Sequence, residues 1–199
     1  MLVIGLVGGI GSGKSVASAI LAELGAEIIN ADLVGHEVYE PAKPGFDAIV
    51  SEFGTGVVGP DGRIDRKQLG ALVFVDDAKL ARLNAIVHPL IRAEIERRIE
   101  RARASDAVRA VVVEAAILLE AGWRPLVDQV WVISARREDV VERLASQRGM
   151  AEGEAAARMA KQMTDGARRS VADVVIENSG SLDELRARLA GLWQTLVPR

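Results

Sequence analysis

The sequence predicts an α/β fold, a doubly wound parallel sheet of five strands carrying an inserted helical segment and a second irregular stretch. Three observations lead there. Five short runs rich in valine and isoleucine recur along the 199 residues. They are Leu2–Val7, Glu27–Asn30, Ala110–Val113, Gln129–Ile133 and Val174–Ile176. Continuous apolar runs of this length suit parallel strands buried on both faces. Helical patterns separate them at Lys14–Leu24, Pro89–Ala104, Arg137–Gln147 and Leu182–Leu196. Strand alternating with helix is the rhythm of a doubly wound sheet, whose ligands gather at the carboxyl ends of the strands. Finally, the first strand runs directly into a glycine-rich turn that opens the first helix.

That turn reads Gly8-Gly9-Ile10-Gly11-Ser12-Gly13-Lys14-Ser15 and fits G-x-x-x-x-G-K-S, the loop that cradles the phosphates of a nucleoside triphosphate. Its glycines let the backbone turn tightly and bring several N–H groups onto phosphate oxygens. The helix that follows adds its positive end. Lys14 is expected to reach the β- and γ-phosphates, and the Ser15 hydroxyl to hold Mg²⁺. Gly8, Gly9, Gly11, Ser12, Gly13, Lys14, Ser15 and the adjoining Val16 are therefore the expected nucleotide-binding set. The sheet is then of the phosphate-loop nucleoside-triphosphate hydrolase type.

The second strand ends on Asn30-Ala31-Asp32. A carboxylate at that edge could take a proton from an attacking hydroxyl or help order Mg²⁺, or it could cap the next helix. About eighty residues then intervene before the third strand, more than one crossover needs. Loops are expected at Pro41 to Pro44 and over Gly54–Gly62, and helices over Asp65–Val73 and Asp77–Val87. His88 precedes Pro89 at the expected start of the long helix, where it could cap it. Arg92 lies four positions further on, so the two could share a face and bind an anion. The third strand closes on Glu114, a position suited to ordering Mg²⁺ or its waters.

A second irregular stretch lies between the fourth and fifth strands, with a helix expected over Glu152–Met163 and then a polar turn. Arg136, Arg137, Arg143, Arg148, Arg158, Arg168 and Arg169 crowd this region among acidic residues, so most are expected on a solvated face. Arg143 is the candidate for neutralising a transferring phosphate. The expected organisation is one domain with a core at about 1–35, 106–147 and 172–199, a helical insert at about 36–105 and a lid at about 148–171.

Composition narrows the classes. Hydrophobic residues make up 49%, enough for a sizeable core, and the net charge of −3 offers no general attraction to nucleic acid or membranes. The chain has no cysteine, which excludes disulfides and thiol chemistry and fits a cytoplasmic location. No apolar run approaches the ~18 residues of a membrane span, and the N-terminus lacks the charged start of a signal peptide. No N-K-x-D guanine motif occurs. Trp123, Trp131 and Trp193 are scattered and read as packing residues. A monomer or a small homo-oligomer is expected.

With these residues identified, the chain resembles the dephospho-coenzyme A kinase family over nearly its whole length. Besides the loop, the resemblance rests on Asn30–His36, on Ile64-Asp65-Arg66-Lys67-Gln68-Leu69 with Val73-Phe74, on Leu83–Arg92 with its H-P-x-I-R element, and on Ala172–Gly180. It implies ATP-dependent phosphorylation of the ribose 3′-hydroxyl of dephospho-CoA, giving CoA and ADP, the last step of coenzyme A synthesis. Asp32 would be the base or hydroxyl-orienting group, Asp32, His88, Arg92 and Glu120 would contact the acceptor, and Arg143 would act on the transferring phosphate. Asn178 and Gly180 would lie by the adenine. Ser15 and Glu114 would serve Mg²⁺. The chain departs from the family pattern at Ala116 (usually proline), Glu114 and Asn30 (usually Asp), and Val16 (often Thr). Two other readings fit the loop alone: a kinase for another nucleoside or small metabolite, and a non-catalytic nucleotide-binding switch.

Overall fold

The computed structural model describes residues 1–160 and 162–197. Its five strands are β1 (Leu2–Gly8), β2 (Glu27–Asn30), β3 (Ala110–Glu114), β4 (Gln129–Ser134) and β5 (Val174–Glu177). They form one sheet in the order β2-β3-β1-β4-β5, and every pairing is parallel. β1 lies at the centre, with Val3 opposite Val111 on β3 and Gly5 opposite Val130 on β4. The chain therefore leaves β1 toward one side and later returns to fill the other. The phosphate loop stands at the carboxyl end of this central strand, where a doubly wound sheet binds ligands.

The three central strands are buried almost throughout, while the edge strands β2 and β5 each bury one residue, Ile29 and Ile176. β3 is buried at every position. On one face, Ile20 and Leu21 of α1 (Lys14–Glu23) and Leu185, Leu189 and Trp193 of α9 (Leu182–Leu196) share a cluster with Ile4, Leu6, Val112, Trp131 and Ile133. All three tryptophans are buried, as their reading as packing residues requires. A second cluster joins Val140 and Leu144 of α6 (Arg137–Arg148) to Met150 and to Ala155 of α7 (Glu152–Ala160), with Ile10 of the loop packed against it. α9 starts with a capping box, Ser181 Oγ accepting from the Glu184 N–H and Glu184 Oε2 from the Ser181 N–H.

Two compact units divide the chain, Met1–Asn30 with Ile99–Arg199, and Ala31–Arg98. The second unit contains α2 (Ala31–Glu37), α3 (Pro44–Phe53), α4 (Arg66–Val73) and most of α5 (Asp77–Arg103). Asp65 caps α4, its carboxylate accepting from the Lys67 and Gln68 N–H groups at 2.9 and 3.1 Å.

Four details correct the sequence reading. α5 is one helix of 27 residues with Pro89 inside it, where two helices broken at Pro89 were expected. Its buried stripe, Val87, Ile91, Ile95, Ile99 and Ala102, runs unbroken past the proline. Pro89 and Ala85 face outward, so the carbonyl that loses its partner meets water and packing outweighs the local cost. His88 therefore lies mid-helix and caps nothing. The second correction is α3, which begins at Pro44, within the expected loop; Pro suits the first position of a helix. Third, α2 starts at Ala31, so Asp32 lies in its first turn rather than at its cap. Fourth, the helix expected over Glu152–Met163 ends at Ala160, and the polar turn contains a short α8 (Asp165–Arg169) capped by Thr164 Oγ1.

The second unit carries a pH-sensitive anchor. Glu94 accepts from Arg97 at 2.8 and 2.7 Å and from Arg98 at 2.8 Å. These bonds, led by Arg97, bring its pKa from 4.5 down to about 2. A carboxylate depressed on folding stabilises the fold above its unfolded pKa, and that contribution disappears as pH falls through the folded value. Glu94→Gln should therefore lower stability by about 1 kcal/mol at pH 7. The difference from wild type should shrink as pH falls from about 4.5 toward 2, measured by urea unfolding.

Candidate active site

The phosphate loop is held from behind by a residue far away in sequence. Asn178 is buried, and its Nδ2 donates to the Ser12 carbonyl at 2.8 Å. Its own N–H donates to the Ser134 carbonyl at 2.7 Å, which ties the loop to β4. Gly13 has φ +93°, and a Cβ there would lie 2.1 Å from Asn178 Nδ2, so no other residue fits. Gly8 is equally confined, since its Cβ would meet Ser12 Oγ at 2.5 Å and the Ile133 carbonyl at 2.8 Å. Gly13 also serves as N-cap of α1 without any side-chain acceptor. The first N–H groups of that helix are left for an external partner. Lys14 opens the helix and is half-buried, while Ser15 and Val16 are exposed.

Ser15 and Glu114 come together. The Ser15 hydroxyl donates to Glu114 Oε1 at 2.9 Å, and Asn30 Nδ2 donates to Oε2 at 3.3 Å. Glu114 is only 6% exposed, so a buried carboxylate and a hydroxyl stand side by side at the foot of the loop. These are hard oxygen donors of the kind Mg²⁺ prefers, and Mg²⁺ commonly takes only one or two protein oxygens, with phosphate and water completing its shell. The residues present fit the ion. Among the described residues no cluster of three acidic or histidine side chains forms a further metal site.

The arginines divide. Arg143 lies on α6, half-buried, and its Nη2 donates to the Asn178 carbonyl at 2.7 Å, while Nη1 is buried without a partner among the described residues. Arg168 on α8 is 5% exposed, with Nη2 buried and unpartnered among the described residues. The surface reading of Arg168 is thus overturned: tertiary packing turns it inward. Arg169 matches its expected exposure and pairs with Glu177 at 2.5 Å. Glu120 is exposed, and its charge acts on Arg168. Gly180 sits under the capping box, where a Cβ would lie 1.9 Å from Glu184 Oε2.

In the second unit Asp32 is exposed at the start of α2. His88 is half-buried, and burial lowers its pKa, favouring the neutral ring. Arg92 is exposed and pairs with Glu96 at 3.1 Å. Such an exposed pair contributes little and yields readily to a ligand. A groove of about 680 Å³ in this unit is lined by His36, Tyr39, Arg66, Lys67 and Phe74. Arg66 Nη1 lies 3.0 Å from His36 Nδ1. Burial first and the Arg66 charge second keep His36 in its neutral form, able to accept that bond.

The model of the family described as dephospho-CoA kinase matches residues 2–184 of this chain. The chain belongs to the dephospho-CoA kinase family. A curated member from Streptomyces avermitilis is 48% identical over 199 residues, covering 100% of this chain and 96% of that protein. A crystal structure of a Thermus thermophilus protein superposes with TM-score 0.83 at 31% identity, covering 99% of this chain and 98% of that one. The structure titled dephospho-CoA kinase from Campylobacter jejuni gives TM-score 0.75 at 26% identity, covering 98% and 96%.

Departures from the dephospho-CoA kinase pattern are absorbed locally. Ala116 stands where the family usually has proline, yet the turn after β3 closes through the Ala121, Gly122 and Trp123 N–H groups, donating to Ile117, Leu119 and Leu118. Asn30 keeps a hydrogen bond to Glu114 where the family usually has Asp. Two residues of the site escaped the sequence. Arg168 was one among many arginines, and Gln162, whose side chain touches the loop, carries no motif of its own. No helix among the described residues is long and apolar enough to cross a membrane.

Proposed function

We propose that this chain catalyses transfer of the ATP γ-phosphate to the ribose 3′-hydroxyl of dephospho-CoA, giving CoA and ADP. The observation that carries this is the family match over residues 2–184, which includes both the phosphate loop and the H-P-x-I-R element on α5. The uncapped first turn of α1 and Lys14 bind the triphosphate, and Asn178 keeps the loop in the conformation that aims its N–H groups. Mg²⁺ would be held by Ser15, with Glu114 beside it, and would neutralise charge on the phosphates. Phosphoryl transfer asks the protein mainly for positioning and charge neutralisation. Arg143 meets the second need, as its unpartnered Nη1 is a ready donor.

Asp32 orients the acceptor hydroxyl and takes its proton. His88 and Arg92 lie four positions apart on one helix, and with Glu120 they contact the acceptor. The second unit serves as the acceptor-binding part. Its groove combines aromatic rings with Arg66 and Lys67, which suits a molecule joining a purine to a pyrophosphate. The α7–α8 segment serves as the lid. The protein's proposed place of work is the cytoplasm, which a chain without cysteine suits.

Incubation with ATP, Mg²⁺ and dephospho-CoA should yield CoA and an equal amount of ADP, while shikimate, gluconate and nucleosides give none. Transfer to one of those acceptors instead would replace this reading with that of another small-molecule kinase. Nucleotide binding without transfer to any of them would leave the switch.

A further inference from the structure

Gln162, shortly before α8, lies against the phosphate loop itself. The Ile10 N–H, one of the loop amides, donates to Gln162 Oε1 at 2.9 Å. A Cβ built on Gly9 would lie 3.2 Å from Arg168 Nη1 and 3.6 Å from Gln162 Oε1, so both side chains press against that residue. They border a cavity of about 300 Å³ together with Gly9, Ile10 and Ser12. Two donors there are buried without a partner among the described residues, Ser12 Oγ and Arg168 Nη2. A buried polar group left unpaired is costly, and a guanidinium more so, unless a ligand completes it. The acids near Arg168 do not complete it: Asp165 accepts from Ser134 Oγ at 2.8 Å, and Glu120 acts only through its charge. Burial biases Arg168 away from its charged form while Glu120 and Asp165 oppose that, so an incoming anion would restore what desolvation removes.

We propose that Arg168 is a phosphate-binding residue of this site, and that Gln162 Oε1 and a phosphate oxygen compete for the Ile10 N–H. The ligand class is the polyphosphate chain of a nucleoside triphosphate. The amide oxygen of Gln162 is a neutral acceptor of the right geometry, and a charged phosphate oxygen makes the stronger bond. Phosphate binding thus displaces Gln162 from the Ile10 N–H and gives Arg168 its partner. This rests on the nucleotide-binding reading of the loop.

The test is calorimetric titration of the full chain with Mg·ATP and, separately, with inorganic tripolyphosphate, which has no base or ribose. Arg168→Gln should weaken both ligands about tenfold or more, with Arg168→Lys recovering part of the loss. Gln162→Leu removes the competing acceptor and should tighten both about two- to fivefold. Melting of the ligand-free variants checks their folding, and if Arg168→Gln fails to fold, Arg168→Lys and Gln162→Leu decide. Arg168 variants binding both ligands like wild type, or Gln162→Leu binding no more tightly than wild type, would overturn the proposal. A wild-type chain that binds neither ligand would instead overturn the nucleotide reading beneath it.

Discussion

Replacing Lys14 with methionine should leave the protein folded and lower phosphoryl transfer to dephospho-CoA about a thousandfold. Lys14 is the first residue of α1 and half-buried at the carboxyl end of the central strand. Methionine keeps its length and nearly its helix propensity, so the helix and its packing on the sheet survive. On the role proposed for Lys14, what is lost is a positive charge that would face the β- and γ-phosphates during transfer. Removing one such electrostatic group from a water-poor site costs about 10² to 10³ in turnover, and phosphoryl transfer depends on little else. ATP affinity should fall as well, because the same charge binds the ground state. The check is steady-state kinetics beside a melting curve. Wild-type turnover in a folded variant would remove Lys14 from the site.

Asp32→Asn should separate chemistry from nucleotide binding. Asp32 lies in the first turn of α2, in the unit that does not contain the phosphate loop. Asparagine has the same shape and can still hydrogen-bond a hydroxyl, but it cannot accept the proton. A positioned base contributes about 10² to 10⁴ in rate, so turnover should fall by about that factor. Affinity for Mg·ATP, measured by titration without acceptor, should stay within about twofold of wild type. A variant with comparable turnover would leave Asp32 no part as base. A matching fall in ATP affinity would place it on the nucleotide side.

Much of the fold was legible because its signals are local. Strand boundaries follow from valine and isoleucine runs, and each agrees with the structure to within a residue at either end. The loop was legible for a different reason: its glycines and Lys14 are required by a backbone shape that one short segment must adopt. Pro89 misled because its local preference to end a helix is overridden by the stripe Val87, Ile91, Ile95, which no short window weighs against it. Pro44 misled in the opposite sense, since the residue that marks a loop also opens a helix. The site was legible only in part. Asn178 supports the Ser12 carbonyl across 166 positions, and Arg168 turns inward only because α8 packs beside the loop. Seven arginines crowd that stretch, and among those whose side chains are described only Arg168, the one beside Gly9, is buried.

The joining of a triphosphate grip to a ribose acceptor is tested most directly by following the phosphate itself. Wild-type protein is incubated with Mg²⁺, ATP labelled at the γ-phosphate, and dephospho-CoA, and the labelled product is isolated. The label should appear as a phosphomonoester on the ribose 3′-oxygen of CoA, one for each ADP formed. Label recovered only as inorganic phosphate, or on any other oxygen of the acceptor, would contradict the account.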